Sequence, residues 1–356
     1  MLPTLAITMG DPAGIGPEVV CKALEALRRS GELNVAFRAR VIGDGPLLRF
    51  TAGELGCDLV FDDFGVDASG ADGFSASGVE LIHTMIRVGD DEIRPESARD
   101  AKQRALATRG RASFLFLQRA IEMCKGIDGA APTADAIVTA PINKAAWHAA
   151  GHDFPGHTEV LAAEFDSPKS GMLFLGPTLR VILATVHIPL KNVAAALKPW
   201  KILEKIELGA QACREQGIAA PRIAVAGLNP HAGEGGLLGD EDRELIAPAL
   251  ERARERGIHV RGPIPGDAVF AQAAKGEYDL VVAMYHDQGL IPVKLLDGAK
   301  AVNVTAGLAW QGRRITRTSP AHGTAEDIAG QTKADATSMI EAIRCAARLL
   351  KSAPAA

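Results

Sequence analysis

The chain has 356 residues, 47% hydrophobic and 23% charged, with 37 glycines, few aromatics and a formal net charge of -4. That length exceeds one ordinary core and favours two domains, and the near-balanced charge gives no basis for a nucleic-acid or anionic-membrane partner. The five cysteines, Cys21, Cys57, Cys124, Cys213 and Cys345, form no CxxC, which excludes a zinc knuckle or disulfide framework and fits a reducing compartment.

The opening stretch MLPTLAITMGDPAG lacks the basic and apolar regions of a secretory leader. No apolar run reaches the length of a membrane span, so the expectation is a soluble, cytoplasmic protein without a membrane partner. The run Leu5–Met9 predicts a first strand, and GDPAGIGPE (Gly10–Glu18) follows it into a helix. That is the setting of an anion-cradling turn, but the GxGxxG spacing of a dinucleotide fingerprint is absent. Ala39–Ile42 predicts the next strand. The segment 61–105, polar and rich in Gly, Ser and Asp around Asp67–Ser77, reads as a surface loop or insertion. Further strands are expected at Ala136–Thr139, Val181–Val186, Ile223–Ala226, Leu280–Met284 and Ala301–Thr305. Most are near-continuously apolar, as strands covered on both faces are. Between them, Ile202, Leu203, Ile206, Ala210 and Cys213 recur at helical spacing, with Gly217 as a stop, and Met339, Ile340, Ile343, Ala347 and Leu350 repeat the pattern. The end, Ser352–Ala356, reads as a frayed tail. Alternating strand and helix implies a largely parallel, three-layer α/β/α architecture. There is no internal repeat and no Walker A motif, which argues against nucleoside triphosphate hydrolysis.

Three of the apolar runs each lead to a histidine: VILATVH to His187, IAVAGLNPH to His231 and LVVAMYH to His286. Ligand crevices of parallel α/β sheets lie beyond the carboxyl ends of the strands, so these imidazoles are delivered to one edge. A single histidine there is more often a cap or a packed surface residue. Three of nine at the same topological position suggest a catalytic metal site, suited to zinc and acceptable to cobalt or iron. His157, in PGHTE, opens a helix after a turn, and Thr158 with the free amides of that turn would hold an anion or simply cap the helix. Lys294, Asn303 and Arg317 lie near strand ends, and as a set they suit phosphate and carboxylate.

Together, GDPAGIGPE, TAPINK, PGHTE, ATVHIPL, GLNPHAGEGG, GPIPGD, AMYHDQGL, VNVTAGL and RTSPAHGTAEDIAG resemble the 4-hydroxythreonine-4-phosphate dehydrogenase family of pyridoxal phosphate biosynthesis. The resemblance covers nearly the whole chain except about 45–105. It implies a two-domain isopropylmalate dehydrogenase-like fold with the active site in an interdomain cleft. The cofactor-side domain would be 1–145 plus 300–356, and 146–299 the metal, substrate and dimerisation domain. NAD or NADP would bind without a Rossmann fold, with His322, Gly323, Thr324 and Asp327 of HGTAEDIAG on its adenosine side. The resemblance makes His187, His231 and His286 ligands of one divalent ion, zinc first, with cobalt or magnesium as alternatives. His157, Thr158, Lys294, Asn303 and Arg317 become substrate contacts, and Asp267 and Asp287 match acidic active-site positions. It also implies a homodimer whose subunits share the site. One departure is the segment AWQGRR (Ala309–Arg314), which lengthens the passage into RTS and would allow Arg314 to take over from Arg317.

The reaction implied is NAD(P)- and metal-dependent oxidation of 4-phosphooxy-L-threonine to 2-amino-3-oxo-4-phosphooxybutanoate, which decarboxylates to 3-amino-2-oxopropyl phosphate. Lys294, Asp287 and Asp267 are the candidate catalytic groups. The alternatives are a related dehydrogenase for a four-carbon sugar-acid phosphate or a cis-dihydrodiol carboxylate, a metal-dependent hydrolase, and a non-catalytic phosphate-metabolite binder.

Overall fold

The computed structural model describes residues 2–63, 79–84, 98–126 and 130–352. Its strands, in chain order, are β1 (Thr4–Thr8), β2 (Arg38–Gly43), β3 (Phe61–Asp63), β4 (Val79–His83), β5 (Ala136–Thr139), β6 (Gly171–Leu175), β7 (Arg180–Leu183), β8 (Ile223–Ala226), β9 (Val260–Ile264), β10 (Leu280–Ala283), β11 (Val302–Ala306), β12 (Ala309–Trp310), β13 (Arg313–Arg314) and β14 (Thr316–Pro320). The chain forms two compact units, Met1–Asp166 with Ala309–Leu350, and Ser167–Leu308 with Lys351–Ala356. No helix among the described residues is long and apolar enough to cross a membrane.

In the first unit the strand order is β3-β4-β2-β1-β5-β14, and every pairing is parallel. All five residues of β1 are buried, so helices must cover both its faces. The helix Gly16–Arg29 does part of this: Pro17 pre-sets its first turn, and Val19, Val20, Ala23, Leu24 and Leu27 are buried. Each large apolar side chain among them contributes about 1.5–3 kcal/mol on full burial.

The expectation of a loop over 61–105 is corrected in part. β3 and β4 fall inside it, and a long helix, Ala98–Lys125, begins near its end; the remainder lies outside the described residues. β4 (VELIH) escapes a periodicity reading because a charge sits in its middle. Glu80 is buried there against Arg40 of β2, at 2.6 Å, and only that non-local partner makes its burial tolerable.

In the second unit the order is β11-β6-β7-β10-β8-β9. β6 runs antiparallel to both neighbours, whereas β7, β10, β8 and β9 are mutually parallel. That parallel run sets one edge of the unit as the place where strand-end residues collect.

Candidate active site

β7, β10 and β8 are adjacent and parallel, so the segments leaving their carboxyl ends share an edge. The segments after β7 and β10 are laced together. Ala184 N donates to Ala283 O at 2.8 Å, and Thr185 donates from both N (3.2 Å) and Oγ1 (2.7 Å) to Met284 O. This brings His187 and His286 together, with ring centroids 5.6 Å apart and planes at 43°. His286 Nδ1 lies 2.7 Å from Asp287 Oδ1. A carboxylate only accepts, so a hydrogen bond here requires the tautomer with its proton on Nδ1, which leaves the Nε2 lone pair for a ligand. Asp287 therefore orients His286.

His231 is held differently. His231, Ala232 and Glu234 sit at φ 53, 53 and 44°, with glycines 233, 235 and 236 also at positive φ. A left-handed turn of this kind costs about 1–2 kcal/mol for each non-glycine residue. Buried Asp242 offsets part of the cost by accepting from Leu228 N (2.8 Å) and Asn229 N (3.0 Å). Gln288 braces the same edge, donating to Gly227 O and accepting from Met284 N, both at 2.7 Å. The turn presents the His231 ring to solvent, with Nδ1 3.8 Å from Glu234. Among the described residues no three metal-ligating side chains assemble within one chain. The structure thus brings together His187 and His286 and leaves His231 outside that pair. Two neighbouring imidazoles, one fixed by a carboxylate, are a fitting donor set for a late divalent ion.

Asn303, on β11, has a buried Oδ1 with no hydrogen-bond partner. Asp267 lies exposed in the first turn of the helix Gly266–Ala274. Lys294 is exposed on the helix His286–Asp297, flanked by exposed Ile291, Leu295 and Leu296.

The first unit holds the anion-binding candidates. Arg317 is only 2% exposed, and its Nη2 donates to Thr139 Oγ1 at 2.7 Å. Burial lowers its pKa to about 10, opposed by nearby Glu159, so it stays cationic at neutral pH. His157 opens the helix His157–Glu164 with its ring edge-on to Trp147. The residue as a whole is half-buried, but Nε2 is sequestered and unpartnered. Burial first, then the charges of Arg317 and Lys144, holds its pKa well below the usual imidazole value. Thr158 follows in the first turn, half-buried. Thr139 and Lys144 both belong to TAPINK and its approach, a motif that the sequence offered without assigning a role.

Arg314 does not share the buried position of Arg317. β12 and β13 pair as a hairpin whose arginines cap helix ends: Arg313 donates to Cys124 O and Arg314 to Leu349 O. Trp310 lies under the Lys125 ammonium, 4.7 Å from it, and edge-on to Phe165. The extension is a packing device, and Arg317 keeps the buried position.

In the cofactor-loop candidate, Thr324 O accepts from Ile15 N at 2.9 Å. A Cβ at Gly14 would stand 3.0 Å from Thr324 Cβ, so GDPAGIGPE and HGTAEDIAG approach closely where they meet. A cavity of about 370 Å³ lies beside this junction, lined in part by Pro12, Gly14, Phe50, Ala329 and Gly330. Leu47, Thr51 and two glutamates, Glu18 and Glu54, also line it. Glu326 is gripped by Arg109 (3.0 and 3.2 Å) and by Asn143, and Arg109 also faces buried Asp11 at 3.7 Å. His322 has a buried, unpartnered Nε2, while Gly323 and Asp327 are exposed.

A family model described as pyridoxal phosphate biosynthetic protein PdxA matches residues 38–346. A Cupriavidus necator protein named D-threonate 4-phosphate dehydrogenase is 42% identical over 349 residues, covering 98% of this chain and 97% of its own. A Beijerinckia indica protein named 4-hydroxythreonine-4-phosphate dehydrogenase is 40% identical over 352 residues, covering 98% and 96%. Among solved structures, a 4-hydroxythreonine-4-phosphate dehydrogenase from Burkholderia phymatum is 40% identical, covers 98% of both chains and superposes with a TM-score of 0.75.

Proposed function

The chain belongs to the pyridoxal phosphate biosynthetic PdxA family and is a dehydrogenase of that type, and from that premise we propose that it oxidises the C3 hydroxyl of a four-carbon, 4-phosphorylated 3-hydroxy acid. The hydride would pass to NAD or NADP. The observation that carries this reading is the buried Arg317 beside a neutral His157 with an unpartnered Nε2. Leaving the buried ring nitrogen unpartnered is costly unless a ligand oxygen completes it, and the guanidinium beside it favours a ligand that is an anion.

In this reading Arg317 and Lys144 hold the substrate's phosphate or carboxylate, and His157 Nε2 accepts from or donates to a substrate oxygen. Thr158 adds a hydroxyl at the same helix start, and Asn303 Oδ1 accepts from a substrate O–H or N–H. His187, His231 and His286 would hold a divalent ion, zinc first and cobalt or magnesium as alternatives, supplying Lewis-acid polarisation of substrate oxygens. His322, Gly323, Thr324 and Asp327 would line the cofactor's adenosine side. Oxidation at C3 places the new carbonyl β to the carboxylate, so the product is set to lose carbon dioxide. With a 2-amino group this gives 3-amino-2-oxopropyl phosphate.

Assembly follows from where apolar surface is left open. Ile188 and Leu190 follow His187, Leu237 and Leu238 follow the His231 turn, and Ile291 and Leu295 share the helix that His286 opens. All are exposed, Leu237 by 85% and Leu295 by 81%. Exposed apolar side chains around all three histidines support an interface there. We place a second copy of the chain against it, so that each site takes ligands from both subunits and Lys294 reaches the partner's substrate as candidate base. Asp267 is retained as an acidic candidate at the same edge. Five free thiols fit a cytoplasmic, reducing setting.

The test is a panel assay of NADH formation with 4-phosphooxy-L-threonine and D-threonate 4-phosphate. The first is favoured by the family description. The second is favoured by the 42% identical relative. At least one should turn over with kcat/KM tenfold or more above its unphosphorylated counterpart. Absence of NAD(P) reduction with both, metal supplied, overturns the reading.

A further inference from the structure

Because β10, β8 and β9 are parallel, their first residues, Leu280, Ile223 and Val260, share the edge opposite the three histidines. A cleft of about 550 Å³ opens at that amino-terminal edge, a size usual for small-molecule sites. Its lining includes Arg222, Arg254, His259, Arg261, Tyr278 and Glu277. Three guanidinium groups line it with one carboxylate, Glu277, and a second, Asp279, lies against Arg222, in a chain whose overall charge is -4.

These cations are ordered unequally. Arg222 is locked by a bidentate bond to Asp279, from Nε at 3.0 Å and Nη2 at 2.8 Å, so its charge is largely answered. Arg254 donates through Nε to Val260 O at 3.4 Å. This weak contact leaves both terminal nitrogens without a partner among the described residues. Arg261 makes no ion pair among the described residues. Gly257, at φ +74°, has nothing within 4 Å of where a Cβ would lie, so the mouth is open beside Arg254. Tyr278, half-buried, supplies an aromatic wall. Two unanswered forks at a cleft with an aromatic side match a phosphate group attached to a flat organic body.

We propose that this cleft binds a phosphorylated small metabolite of nucleotide size or less, with its phosphate on Arg254 and Arg261 and its organic part on Tyr278. It is a second anion site, at the far edge from the proposed chemistry, and it stands whether or not the dehydrogenase substrate is correctly identified.

Equilibrium dialysis with inorganic pyrophosphate tests it on the full-length wild-type protein and on Arg254→Ala/Arg261→Ala. Both arginines are exposed, so the variant should fold, which circular dichroism checks. The expected result is that the variant loses one bound pyrophosphate per chain, or binds it at least tenfold more weakly, while kcat and KM of the dehydrogenase stay within twofold. The conservative double variant, with Arg254→Lys and Arg261→Lys, should recover part of the binding, because charge is kept and the fork is lost. Equal stoichiometry and affinity in the wild type and the double alanine variant would overturn the proposal, as would a wild type that binds none at millimolar pyrophosphate.

Discussion

Arg317 helps to set the state of His157: the buried guanidinium, anchored on Thr139, adds to desolvation in keeping the imidazole uncharged. The link has a measurable consequence for stability. The folded-state pKa of His157 lies below its unfolded value, so below about pH 6.5 the unfolded chain takes up a proton that the folded one refuses. Stability should therefore fall as pH drops through that range, by up to about 1.4 kcal/mol per unit from this residue. Urea unfolding at pH 7.5 and 5.5 should show a loss about 1 kcal/mol larger in the wild type than in His157→Asn. An equal loss in both proteins would remove His157 from the account.

Arg317→Ala should raise the substrate KM by tenfold or more and leave the cofactor's KM near its wild-type value, since a buried charge-assisted contact is lost on one ligand only. Arg314→Ala should instead cost about 0.5–1.5 kcal/mol of stability, the worth of one hydrogen bond to a helix end, with the substrate KM unchanged. The reverse pattern would assign to Arg314 the role proposed for Arg317.

Asp287→Asn tests the orienting carboxylate. An amide can place its NH2 against His286 Nδ1 and favour the wrong tautomer, so metal affinity should drop about 10–100-fold. Metal content after dialysis is the readout. His187→Ala and His286→Ala should each abolish stoichiometric metal, and retention in either would dismantle the proposed pair.

Because His231 does not join His187 and His286 within a chain, the proposed shared site predicts complementation. His231→Ala and His286→Ala proteins, each inactive, should regain activity when mixed under subunit-exchanging conditions. If those ligands come from different chains, each hybrid carries one intact site, about half of its total by simple counting. Confirmed exchange without recovery would show that this pair serves a site from one chain.

What could be read from the sequence divides along physical lines. β1, β5, β8 and β10 were legible because a strand buried on both faces is an unbroken apolar run, and the histidine edge followed from parallel order alone. β14 (TRTSP) was not, because its burial depends on partners far away: Arg317 on Thr139, and Thr318 Oγ1 on Ala342 O at 2.8 Å. β6 and β9 carry Gly171, Gly262 and Pro263, which read locally as turns. Asp242, Gln288 and Lys144 were missed for the same reason as β14: their roles are defined by what they touch, and none sits in a spacing that announces it.

The left-handed turn at His231–Gly235 makes the protein improvable at a known place. Glycine at position 232 or 234 would relieve the backbone at those residues, and each change should raise the melting temperature by about one degree. A chain that keeps Ala232 and Glu234 there forgoes that gain. Thermostabilisation of this scaffold should therefore begin at this turn, with metal retention monitored beside it, since a looser His231 is the compromise such a gain would bring.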